Sequence, residues 1–247
     1  MHIIKLNAID STNTYLKTMA MHTQLKDFTV VITENQTDGR GQMGKNWNSE
    51  IGKNLTASVF VNLSFLKIEQ QFYISLIAAL ALYKTLYALK LPQLYIKWPN
   101  DILSANKKIC GILIETVIKK NKLKGAVIGF GLNVNQVNFE TLPRASSLRL
   151  LMGVKFDKDN ILTNVIKHIK FYYKTLKQEH FKAIKTAYES VLYRRGKIST
   201  FKLKNDELIS AIITGVTDSG KLVLTTEGNN IQTFDNKELS FLATSIN

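Results

Sequence analysis

Cysteine is nearly absent: Cys110 is the only one among 247 residues. A lone thiol excludes an intrachain disulfide and suits a reducing compartment. No apolar run reaches the roughly 18 residues that a membrane-crossing helix needs. The most apolar stretch, Phe72 to Leu82, has helix-type spacing and reads as a buried helix. The N-terminus, MHIIKLNAIDSTN, lacks a basic flank followed by a long apolar core, so no signal peptide is visible. These absences together predict a cytoplasmic protein with no membrane partner. The four histidines are scattered, and neither a metal cluster nor a Ser-His-Asp pattern can be argued. No repeat or low-complexity segment is present.

Acidic residues are also scarce, 19 Asp and Glu against 33 Lys and Arg, for a net charge of +14. Between Lys155 and Lys204, thirteen basic residues accompany four acidic ones. Most are lysines on the polar faces of helix-patterned sequence, where solvation accounts for them. No basic-aromatic interleaving, zinc-finger spacing or helix-turn-helix goes with them. The charge is therefore read as steering toward an acidic protein partner, with no DNA binding.

Asp10-Ser11 offers an N-cap for a helix over about 12–22. Phe28 to Thr33 and Leu55 to Leu63 have strand character, separated by the polar, glycine-containing stretch Glu34 to Asn54. A helix is predicted over about 69–89, then strands near 94–98, 107–117 and 123–132, and helices near 159–176 and 178–192. After Arg194-Arg195-Gly196 the texture changes to short β runs punctuated by Asn205-Asp206, Asp218-Ser219-Gly220 and Gly228-Asn229-Asn230. The expected architecture is α+β. A mixed β-sheet with flanking helices occupies 1–193, and a small β-barrel occupies 194–247.

Chemistry concentrates in three segments. In Gly39-Arg40-Gly41-Gln42-Met43-Gly44-Lys45-Asn46-Trp47, the glycines allow tight turns and Arg40 and Lys45 bring charge, which suits a phosphate. It nearly matches a P-loop, but Asn46 lacks the hydroxyl that holds magnesium and no helix pattern follows. In Lys97-Trp98-Pro99-Asn100-Asp101, Pro99 breaks a strand and the next two residues can present a carboxylate at a sheet edge. Beyond a short hairpin lie Lys107 and Lys108. Plain alternation puts Lys108 on the face of Cys110, Ile112 and Ile114, and Lys107 with Ile109, Gly111 and Leu113. Both faces are largely apolar, so one of these lysines needs an anion at the mouth of a buried surface, unless both are hairpin-tip lysines in water. Third, Gly129 and Gly131 in Val127 to Asn135 signal close approach to a backbone, with an adenine ring one candidate. Cys110 reads as a small buried hydrophobe.

Taken in order, Ser11-Thr12-Asn13, Gln36, Gly39-Arg40-Gly41 with Trp47, the KWPND segment, Lys108 with Gly111, and Gly129 to Asn135 resemble biotin–protein ligases. The resemblance implies a class II synthetase-like catalytic domain with an SH3-like C-terminal cap. It implies ATP and biotin as substrates, with Mg2+, and a biotin carboxyl carrier domain of a biotin-dependent carboxylase as partner. A homodimer is left open. Motifs beginning almost at Met1 suggest the single-function type, without the DNA-binding domain of the repressor ligases.

The resemblance also implies roles. Ser11, Thr12, Asn13 and Gln36 would surround the ureido ring, with uncharged donors and acceptors suited to it. Gly39, Arg40, Gly41 and Gln42 would close over biotin and phosphate. Lys108 would contact the biotin carboxylate and the α-phosphate. Trp47, Asn100 and Asn133 would adjoin ATP, and Asp101 would orient the lysine or take magnesium. Lys108, Arg40 and Asp101 are the catalytic candidates. One departure stands out: the family loop commonly reads Gly-Arg-Gly-Arg, and Gln42 replaces the second arginine, which predicts weaker retention of the adenylate. The rivals are a lipoate–protein ligase, whose double-glycine loop and HD-type motif are missing, and a non-enzymatic basic binding module.

Overall fold

The computed structural model describes residues 2–242. The chain opens with a strand, β1 (His2–Ile9), where the sequence pattern gives none. β1 is an edge strand with no fully buried side chain, so no clear apolar alternation marks it. Ser11 then caps α1 (Thr12–His22), its hydroxyl accepting from Thr14 N at 3.4 Å. β2 (Thr29–Gln36) runs parallel to β1, and β3 (Leu55–Asn62) antiparallel to β2. A 3₁₀ turn, Ile68–Gln70, leads into α2 (Phe72–Ala88). β4 (Tyr95–Lys97), β5 (Asp101–Ser104), β6 (Lys107–Lys119) and β7 (Lys122–Leu132) follow as an antiparallel series. The mixed sheet has the order β1-β2-β3-β7-β6-β5-β4.

One face of this sheet is greasy and the other is not. Val59, Val61, Cys110, Ile112, Ile128 and Phe130 join α2 in the main core, and burial pushes the Cys110 thiol pKa up, as for an inert apolar side chain. Past the short α3 (Leu148–Met152), α4 (Lys158–Lys177) adds Ile161, Val165, Ile169 and Leu176 at helical spacing and leaves its lysines outside. The opposite face carries α1 over a small cluster of Leu16, Val31, Phe60 and Val127. Beside that cluster the sheet's side chains shrink to Thr56, Ser58, Gly111, Gly129 and Gly131, and a cavity opens.

After α5 (Phe181–Ser190), strands β8 (Ile198–Leu203), β9 (Leu208–Val216), β10 (Leu222–Thr225), β11 (Ile231–Phe234) and β12 (Leu239–Phe241) form an antiparallel sheet, order β11-β10-β9-β8-β12. This second sheet is consistent with an SH3-like module. It packs on the first through polar ties. Trp98 Nε1 donates to Gly220 O at 2.9 Å, and Glu189 Oε1 accepts from Val216 N at 2.9 Å. Asp218 Oδ1 takes Lys185 Nζ at 2.9 Å and Tyr73 Oη at 3.0 Å. Phe201, Ile213, Leu222 and Leu224 extend the same apolar core as α2.

The Lys185 hydrogen bond, followed by that from Tyr73, holds the Asp218 carboxyl below its ordinary value of 3.8. A carboxyl depressed in the folded state stabilises the protein above that ordinary value and loses its contribution as pH falls through the depressed one. Asp218 is largely exposed, so the contribution is at most about 1 kcal/mol. Asp218→Asn should lower the melting temperature slightly at neutral pH, and the deficit should vanish below the carboxylate range. Thermal denaturation across pH measures this.

Candidate active site

Strand register assembles the site. Across five strands, Lys97 pairs with Asp101, Asp101 with Gly111, Gly111 with Gly131, and Gly131 with Thr56. The two glycines form a flat floor, with charge at one end and a hydroxyl at the other. The Trp47 indole lies on this floor, and a Cβ at Gly131 would overlap its ring. The close approach predicted for Gly129 and Gly131 is thus made here by protein groups: Trp47 at Gly131, and the Asn13 amide at Gly129. Trp47 Nε1 is buried without a hydrogen-bond partner among the described residues.

Lys108 reaches the floor because alternation fails. Ile102 pairs with Cys110 and Leu103 with Lys108, so Ile109 is an extra residue, a β-bulge in β6. Ile109 and Cys110 are consecutive and both fully buried. The bulge turns Lys108 to the Gly111 side, with Nζ and Cε each 3.4 Å from where a Gly111 Cβ would stand. The expected placement of Lys108 with Cys110, Ile112 and Ile114 is therefore wrong. Lys107 is exposed. Lys108 Nζ lies 2.7 Å from Asp101 Oδ1 and 5.5 Å from the Trp47 ring centroid. The contact to Asp101 is too bent for a hydrogen bond, so buried Oδ1 has a cation beside it but no donor aimed at it.

At the neutral end, Gln36 Oε1 accepts from Thr12 N at 2.9 Å and Thr12 Oγ1 at 3.0 Å. Ser58 Oγ lies 2.8 Å from Thr12 Oγ1 and 2.6 Å from Asn13 Oδ1. Asn13 Nδ2 is 3.0 Å from Glu115 Oε2, whose other oxygen pairs with Lys17 at 2.9 Å. Each bond orients the next polar group, so the cluster is rigid before any ligand arrives. Gln36 Nε2 keeps no hydrogen-bond partner among the described residues.

The Gly39–Trp47 segment is a small hairpin, closed by Trp47 N to Gly39 O at 2.8 Å and Gly41 N to Lys45 O at 2.6 Å. It turns through left-handed Met43 and Gly44, φ 57° and 73°. The amides of Gly41, Lys45 and Trp47 are thus spent within the hairpin, so they do not converge on an anion as the glycine spacing suggests. Arg40 is exposed on the cavity wall, its Nε 3.7 Å from Asp38 Oδ2.

Of the predicted residues, Ser11, Thr12, Asn13, Gln36, Arg40, Gly41, Gln42, Trp47, Asn100, Asp101 and Lys108 line one cavity of about 590 Å³. Gly39 sits at the hairpin's neck, outside the lining. Asn133 is also not brought there: it is buried, and its amide donates to Ser146 O at 2.9 Å. Asn100 faces the cavity, but its amide is committed to Ile112 O at 2.8 Å. Missed from sequence were Ser58, Arg144 and Asn236. Arg144 is tied beside the lysine through Lys108 N to Arg144 O at 2.8 Å, and its guanidinium makes no hydrogen bond or ion pair among the described residues. Lys97 is pushed below the usual lysine range by burial first; Asp101 opposes this, while Lys108 and Arg144 add to it. Nothing in spacing marks Arg144 or Asn236, which arrive through tertiary packing.

Comparison with known proteins gives the family. Residues 6–133 match the model of the biotin/lipoate A/B protein ligase family. The bifunctional ligase/repressor of Bacillus spizizenii is 29% identical over 230 residues, 92% of this chain and 70% of that protein. The biotin–[acetyl-CoA-carboxylase] ligase of Mycobacterium tuberculosis is 32% identical over 163 residues, 65% of this chain and 59% of that one. The biotin protein ligase of Aquifex aeolicus, solved with biotin and ATP, has a TM-score of 0.80 at 28% identity, over 98% of this chain and 99% of that chain. The chain belongs to the biotin/lipoate A/B protein ligase family.

Proposed function

We propose that this chain is a biotin–protein ligase, which joins biotin to ATP as biotinyl-adenylate and then transfers it to a lysine of a carrier protein. One observation carries the assignment: a single cavity has a rigid, uncharged donor–acceptor cluster at one end and a cation cluster at the other. Biotin has the matching polarity, a neutral ureido ring and a distant carboxylate. A site built to hydrogen-bond a ring discriminates strongly against an analogue without those groups. Lipoate's dithiolane would leave Gln36 Nε2 without an acceptor.

In the first step a carboxylate oxygen of biotin bonds to the α-phosphorus of ATP, and the bond to the bridging oxygen breaks, releasing pyrophosphate. Two anions must meet, so Lys108, Lys97, Arg144 and Arg40 serve chiefly to offset their repulsion. Asp101 holds Lys108 in place. Trp47 and the hairpin keep water from the mixed anhydride. In the second step the carrier's lysine nitrogen bonds to the acyl carbon, AMP departs with the C–O electron pair, and the new amide nitrogen gives up its proton. The carrier proposed is the biotin carboxyl carrier domain of a carboxylase, in the cytoplasm.

Magnesium fits this site as a companion of ATP. Among the described residues no group of three or more His, Cys, Asp or Glu could hold a metal. Asp101 lines the cavity, and its oxygen not paired with Lys108 would suit an ion held mainly by phosphates and water, since Lys108 Nζ stands 2.7 Å from Oδ1. Bound there, magnesium would spread the charge of the leaving pyrophosphate.

Thermal shift with biotin or lipoate, each with and without ATP, tests the assignment. Biotin with ATP should raise the melting temperature and lipoate should not; the reverse would overturn it. Lys108→Ala should cut pyrophosphate release about a hundredfold or more, whereas Lys107→Ala should change it about twofold at most. Arg144→Ala should raise the KM for ATP about tenfold, as for one exposed charge-assisted hydrogen bond, with a smaller change in kcat. Steady-state kinetics on the three variants checks both expectations.

A further inference from the structure

The Gly39–Trp47 hairpin is anchored at two points. At its base the Trp47 indole lies on Gly111 and Gly131. At its tip, Asn236 Nδ2 donates to Gln42 Oε1 at 3.2 Å and lies 3.5 Å from Met43 Sδ. Asn236 sits in the turn between β11 and β12, and that turn is stiff. Asp235 N donates to Glu238 Oε2 at 2.6 Å, Glu238 N to Asp235 O at 2.9 Å, and Lys204 N to Glu238 O at 2.9 Å. Lys221 Nζ pairs with Asp235 Oδ2 at 3.2 Å. Half-buried Asn236 therefore meets a mobile type of element, a glycine-rich hairpin whose Met43 is 58% exposed, from a fixed one.

We infer that Asn236 is a positioning residue: it latches the glycine hairpin to the C-terminal sheet, so that the sheet controls how long the hairpin stays closed over the activated intermediate. What the hairpin covers rests on the ligase assignment; the latch itself does not. The chemistry suits a latch and not a weld. Gln42 offers a neutral acceptor, and a bond between two amides is weak enough for the hairpin to open and admit substrates. Losing one such bond shifts an opening equilibrium about two- to tenfold.

Amide hydrogen exchange on the whole protein without ligand reads the latch directly. In Asn236→Ala and in Gln42→Ala, the Gly41, Lys45 and Trp47 amides should exchange about two- to tenfold faster than in wild type. The double variant should be no faster than either single one, and β8 and β9 should keep their rates. Should Asn236→Ala also loosen β8 and β9, Gln42→Ala decides alone, because it removes the same bond from the hairpin's side. Release of labelled biotinyl-adenylate, chased with unlabelled biotin and ATP, should quicken by a similar factor in Asn236→Ala. Asn236→Gln, which keeps an amide donor, should recover part of that loss. Unchanged hairpin exchange in the single variants, or additive effects in the double, overturns the latch. If wild type formed no adenylate, the ligase assignment would fall and the exchange comparison would still decide the latch.

Discussion

The register of β3, β7, β6, β5 and β4 places Thr56, Gly131, Gly111, Asp101 and Lys97 in one transverse row. Side chains alternate between sheet faces with a period of two, so a slip of one residue in any strand would send its member of the row into the apolar core. Two positions in the row can only be small. A methyl group at Gly131 would overlap the Trp47 ring, and one at Gly111 would stand 3.0 Å from it. The charged end depends on the same register, because Asp101 pairs with Gly111 and the Lys108 side chain passes 3.4 Å from where a Gly111 methyl would stand. Register, small side chains and the ion pair are therefore one constraint.

The bulge at Ile109 shows how local irregularity serves that constraint. Without it, strand alternation would bury the Lys108 ammonium among Cys110 and Ile112, at a cost no neighbouring anion could repay. With it, two apolar residues in succession fill the core and the lysine emerges on the polar face. The Arg144–Ser146 segment helps hold the bulge, since the Lys108 backbone exchanges hydrogen bonds with Arg144 O and Ser146 N. Asn133 ties that segment from behind, donating its amide to Ser146 O. Its part in this structure is to keep the lysine's backbone in place, one step removed from the cavity.

Much of this was legible in the sequence, and the gaps have physical causes. α1 was marked by its cap, α2 by its apolar run, and β6 and β7 by β-branched stretches, so local signals sufficed there. Thr12, Gln36, Arg40, Asp101 and Lys108 were legible as motif positions, and all five line the cavity. β1 was not legible, since an edge strand without a buried face carries no alternation. The Lys108 face was misread because a bulge shifts the period by one residue and leaves no compositional trace. Arg144 and Asn236 lie in ordinary-looking loops, and only the packing of distant segments gives them a place on the cavity wall.

The cavity's two ends differ in what they need before a ligand binds. The Thr12–Asn13–Ser58–Gln36 cluster satisfies most of its own hydrogen bonds, so it costs little to keep assembled and changes little on binding. The other end is under electrostatic tension. Burial first depresses the Lys97 pKa, and Lys108, Arg144 and Lys45 add to it while Asp101 opposes them. An anion relieves this tension, whereas a neutral group does not. Orientation follows from the asymmetry: a molecule with a neutral polar head and a carboxylate tail gains at both ends in one direction and loses at both in the other. Under the proposed function the tail would be directed to the cations that also suit the phosphates of ATP, and the two reactants would meet where the repulsion between them is lowest.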